Sequence, residues 1–134
     1  MKRLLSLIVF VGLPCSIAMA VGPSGETVKG ILMDQKCSGK ADLRISGSSG
    51  LLVGGRIVAE AHTKECALMP ECIKSGYGVY TDDNKYLKFD EAGNRKALAA
   101  IRATKQLDDL EVEVTGQVNG DTIKVSTLKL LPSE

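Results

Sequence analysis

The sequence has no tryptophan, a single histidine and only 4% aromatic residues. A platform that stacks bases or sugar rings needs several exposed aromatics, so the composition argues against one. An excess of one charge is missing as well. Lys and Arg total 17 against 16 Asp and Glu, which leaves little field to steer nucleic acid or an anionic membrane toward the chain. Gly-x-Ser-x-Gly, His-Glu-x-x-His, a phosphate-binding glycine loop and Cys-x-x-Cys-His are all absent. The familiar marks of a serine hydrolase, a zinc protease, a nucleotide site and covalent haem are therefore missing. Asp34, Asp82, Asp83 and Asp90 are the available acid–base carboxylates, but three of them sit in predicted turns, where solvation and local hydrogen bonding are the default.

Long apolar runs are also scarce. The one at Leu4 to Leu13 is too short to span a bilayer comfortably. With Lys2 and Arg3 before it and Ala18-Met19-Ala20 after it, residues 1–20 read as a signal peptide. Pro14 stands where a lipobox wants a small residue, and cleavage after Ala20 removes Cys15, so no stable membrane anchor is expected. The expected address is the periplasm or the exterior. Of the 17 basic residues, loss of Lys2 and Arg3 leaves 15 against 16 acids, a net charge of −1. Residues 21–134 then form a single domain of about 110 residues, whose modest core would gain from a metal or disulfide staple.

What the chain does have is a concentrated soft-ligand stretch. His62-Thr63-Lys64-Glu65-Cys66-Ala67-Leu68-Met69-Pro70-Glu71-Cys72 holds the sole histidine and two of the three cysteines that survive cleavage, and Cys37 is the third. A helix over 59–69 would set His62, Cys66 and Met69 on one face, with Pro70 ending it so that Cys72 turns back. An odd thiol count in an oxidising compartment implies one disulfide plus a free thiol, an intermolecular bridge, or thiolate ligation. Three thiolates and an imidazole from Cys37, His62, Cys66 and Cys72 suit tetrahedral zinc. A disulfide from Cys37 to Cys66 or Cys72 is the competing reading; closing a loop of some thirty residues contributes about 3–4 kcal/mol in the chain-entropy model. Addition of Met69 to the set would favour copper, and His62 beside Cys66 or Cys72 could activate a thiol nucleophile.

Along the chain, residues 27–33 are β-branched and partly alternating, which predicts a strand with a bulge or bend at Gly30. Residues 38–56 are rich in Gly and Ser and read as a long loop, in which Leu51-Leu52-Val53 either docks as a short strand or forms an exposed patch. A short helix is expected at Ile57 to Ala61. Strands at 77–81 and 85–89 form a hairpin, a helix follows over about 95–105, and Asn119-Gly120 joins two alternating runs, with Gly116 marking a bulge or barrel corner. This order, mainly β with one or two helices, predicts an α+β domain shaped as an OB-like five-stranded barrel, with a small α+β sandwich as the alternative. The long excursion and the Cys/His stretch, residues 37–75, occupy the connection between its first two strands.

Four motifs carry a resemblance: Gly30-x-x-x-Asp34-x-x-Cys37; His62-Thr63-Lys64-x-Cys66-Ala67-Leu68-Met69-Pro70-x-Cys72; Ser75-Gly76-Tyr77-Gly78-Val79; and Val114-Thr115-Gly116-x-Val118-x-Gly120-Asp121-Thr122-Ile123. In these the chain resembles an uncharacterised family of small exported bacterial proteins, and the resemblance implies that the cysteines and His62 act as one unit. The expected function is a noncatalytic exported domain binding a transition metal, zinc before copper, for structure or metal handling. A disulfide-stapled module for a protein, peptide or glycan is the alternative, and a thiol-based enzyme the third reading.

Overall fold

A computed structural model describes residues 25–41, 45–46, 52–53 and 55–132. The signal-peptide reading of residues 1–20 and Leu51 of the Leu51-Leu52-Val53 triplet lie outside them. In chain order the elements are β1 (Glu26–Asp34), α1 (Gln35–Ala41), β2 (Ile45–Ser46), β3 (Leu52–Val53), α2 (Arg56–Glu60), α3 (Lys64–Ala67), α4 (Pro70–Ser75), β4 (Tyr77–Thr81), β5 (Tyr86–Phe89), α5 (Glu91–Ala103), β6 (Glu111–Asn119) and β7 (Thr122–Leu130). The class is α+β. Five strands bond in the order β1-β4-β5-β7-β6, and β6 returns to β1 so that the sheet closes on itself; β2 and β3 make a separate two-stranded pair. All neighbours in the closed sheet are antiparallel except β5 and β7.

Closure depends on β1 serving two partners. Its first half, Glu26 to Ile31, pairs with β6, and its second half, Gly30 to Asp34, pairs with β4. The changeover falls at Gly30, where a Cβ would lie 2.2 Å from the Tyr80 carbonyl oxygen, so only glycine lets the strands approach this closely. In the neighbouring strand the β6–β7 register shifts between Thr115 and Gly116, the bulge expected at that glycine. Asn119 and Gly120 turn that hairpin, with Gly120 at φ 65°.

Alternation along β1 sorts its side chains into two cores. Leu32 faces the interior with Val79, Leu87, Phe89, Leu110, Val112, Val114, Ile123 and Val125, while α5 closes it with Ala97 and Ile101. Ile31 and Met33 face outward into a second cluster with Ala59 and Tyr80. That outer cluster exists because α2 covers the strand, and β1 is accordingly buried on both faces from Gly30 to Asp34. The helix α5 starts at Glu91 rather than near Arg95, because Asp90 caps it by accepting from the Gly93 N–H at 2.9 Å.

Two expectations for the Cys/His region need correction. No single helix runs over 59–69: α2 ends at Glu60, Thr63 starts α3 by accepting from the Cys66 N–H, and Pro70 begins α4 instead of ending a helix. Proline is tolerated at a first helical position because no intrahelical partner awaits its nitrogen there, and the helical-face reading overlooked this. The stretch 38–56 is likewise not a plain loop, since α1 extends to Ala41 and the pairing of β2 with β3 gives Leu52 and Val53 strand backbone.

Candidate metal centre

The cysteines and His62 are carried by four short pieces gathered at the end of β1. Cys37 lies in the first turn of α1, His62 in the link from α2, Cys66 in α3 and Cys72 in α4. Backbone hydrogen bonds to links between the elements help to fix these pieces. The Gln35 N–H donates to the Gly76 carbonyl at 2.8 Å, the Asp109 N–H donates to Glu60 at 3.1 Å, and the Lys64 N–H donates to Leu107 at 2.7 Å. From the start of β4, the buried Tyr77 hydroxyl donates to the Ala67 carbonyl at 2.7 Å, which ties down the end of α3 just after Cys66.

Asp34, the last residue of β1, is the hub. It is fully buried, and its Oδ1 accepts the Cys37 N–H at 2.9 Å while its Oδ2 lies 2.7 Å from Nε2 of His62, itself 6% exposed. Burial alone would raise the Asp34 carboxyl, but the His62 hydrogen bond and the Cys37 N–H outweigh it and hold the group below its ordinary value. An ionised carboxylate only accepts, so Nε2 carries the proton and donates it. In the neutral ring the other nitrogen, Nδ1, holds the lone pair, and it is buried without a hydrogen-bond partner. A buried nitrogen with an unused lone pair has lost its water, a loss that a metal ion would offset.

Thiols stand beside the ring. The donor atoms of Cys37, His62 and Cys66 lie within 4.8 Å of one another, and so do those of Asp34, Cys37 and Cys72. The four residues expected to form one tetrahedral set thus fall, with Asp34 added, into two triads that share Cys37. Cys72 is 2% exposed, and burial, then the charge of Asp34, then Cys37 push its thiol up to about 12. Cys37 and Cys66 are each partly exposed, and all three cysteines are thiols. Met69 stands at the N-cap of α4 and is 46% exposed.

The sequence reading missed the role of Asp34, which it weighed as one carboxylate among several. A signal was present. An acid ending a strand, three residues before the backbone N–H of Cys37, has the spacing of a helix N-cap, and a cap is held where its free oxygen can meet another partner. A cleft of about 560 Å³ lined by Glu26, Lys29, Asp82, Asp83, Lys85 and Val118, among others, shares no residue with either triad. Comparison with protein-family models, curated proteins and solved structures finds no match to the chain.

Proposed function

We propose that the protein is an exported, noncatalytic, OB-like domain that binds a transition metal ion, zinc in the first place, through Cys37, His62 and Cys66. One observation carries the reading: the buried, unpartnered Nδ1 of His62 belongs to a ring whose Nε2 is anchored on Asp34, and two thiols lie within 4.8 Å of that ring. The carboxylate–histidine–metal relay works in this way, the outer acid fixing the tautomer and raising the basicity of the ligating nitrogen. Two thiolates and an imidazole suit zinc, and a partly exposed three-ligand set leaves a fourth position for a ligand from outside. That open position favours metal handling over a purely structural role.

The OB-like reading is supported by the five-strand closed sheet, by its order, and by α5 lying between the third and fourth of the five strands in sequence. The test is alkylation of the native protein with and without chelator, combined with metal analysis. Expected are a bound metal ion and Cys37 and Cys66 thiols that react only after chelation. A metal-free protein carrying a Cys37–Cys66 or Cys37–Cys72 disulfide would instead establish the stapled module.

A further inference from the structure

The second triad has a charge to account for once the first is filled. This step rests on the metal site proposed above. Two thiolates, a neutral imidazole and a divalent ion sum to zero at Cys37, His62 and Cys66. The neutral imidazole then gives Asp34 an N–H but no positive charge, and among the described residues His62 is the one ion-pair partner that Asp34 has. Asp34 is fully buried, and a buried carboxylate is stabilised by an adjacent cation. Its other neighbours are the sulfurs of Cys37 and Cys72, with donor atoms within 4.8 Å of its own.

We propose that Asp34, Cys37 and Cys72 hold a second divalent transition-metal ion, with the Cys37 thiolate bridging the two ions. Three thiolates and one carboxylate carry four negative charges, which two divalent ions balance. The second ion takes the place of the Cys72 thiol proton, which leaves to solvent, as thiols do on coordination. Each carboxylate oxygen has two acceptor positions, so Asp34 can ligate while still accepting from the His62 Nε2–H and the Cys37 N–H. Cys37 is placed for the bridging role because it is the member common to both triads.

The test is zinc stoichiometry of the full chain, purified reduced, by native mass spectrometry, with a parallel cobalt(II) titration followed through the sulfur-to-metal absorption band. Two ions per chain are expected, and the cobalt band should keep growing to the second equivalent. Cys72→Ser and Cys66→Ser should each retain one ion, and Cys37→Ser should bind neither tightly, with far-UV circular dichroism confirming that each variant folds. One ion in the native chain, or a cobalt band complete at one equivalent, would overturn the two-ion centre, and loss of that ion in Cys66→Ser would leave the first triad standing. No ion at all would overturn both. Two ions retained by a folded Cys72→Ser, or by Cys72→Ala should the serine variant not fold, would place the second ion elsewhere and overturn the assignment.

Discussion

Replacement of Asp34 by Asn preserves the size of the side chain and reverses one hydrogen bond. Besides the Cys72 thiol, the carboxylate accepts from the Cys37 N–H at 2.9 Å and from His62 Nε2 at 2.7 Å. An amide can accept at only one of these. If its oxygen stays on Cys37, its NH₂ faces Nε2, and the imidazole must accept there and carry its proton on Nδ1, the nitrogen that the metal requires. If the amide flips, its NH₂ opposes the Cys37 N–H and leaves a donor at the start of α1 unpaired, at a cost of about 1–3 kcal/mol. In both cases the charge that raises the basicity of the imidazole is gone. Loss of an outer partner of this kind lowers metal affinity about 10- to 100-fold, or about 1.4–2.7 kcal/mol. A competition titration against a chromophoric chelator reads the affinity of the first zinc ion, and nitrogen-15 NMR of the His62 ring reads its tautomer. Affinity within about twofold of the native chain, with the proton still on Nε2 and α1 intact, would refute the relay.

Further predictions concern the scaffold that presents the site. Tyr77→Phe removes the donor to the buried Ala67 carbonyl and should lower stability by about 1–3 kcal/mol in urea unfolding with chelator present, while the closed sheet persists. Gly30→Ala drives a Cβ onto the Tyr80 carbonyl oxygen, 2.2 Å away, where backbone must move. We expect a loss of about 3 kcal/mol or more, or no soluble folded protein, in the same assay. Asp90→Ala deletes an acceptor shared by the Gly93 and Val125 N–H groups and should cost about 1–2 kcal/mol, measured as a fall in the urea midpoint at unchanged slope.

The strands were legible where residue pattern and tertiary demand coincide. In β6 and β7, alternating Val and Ile line the interior and Asn119-Gly120 has the chemistry of a tight hairpin, so local sequence states the answer. Gly30 and Gly116 were legible for the same reason, since each marks a place where a side chain cannot fit or the register slips. The short helices α1, α3 and α4 were not. Each has seven residues or fewer, too few to show a period, and each is held by bonds to distant elements such as Gly76, Leu107 and Tyr77. The candidate ligand residues could be picked by type, because His62 is the sole histidine and thiols are scarce. Their division into two triads could not, because it depends on Asp34, which burial and the fold make a hub and which sequence shows only as an acid at a strand end.

The most direct measurement is X-ray absorption at the zinc edge on the reduced protein loaded with one equivalent of zinc. A shell of two sulfurs at about 2.3 Å with an imidazole nitrogen at about 2.0 Å is expected, with the imidazole signal lost in His62→Ala. A shell of nitrogen and oxygen alone, or one unchanged by the loss of His62, would contradict the assignment of Cys37, His62 and Cys66 as ligands.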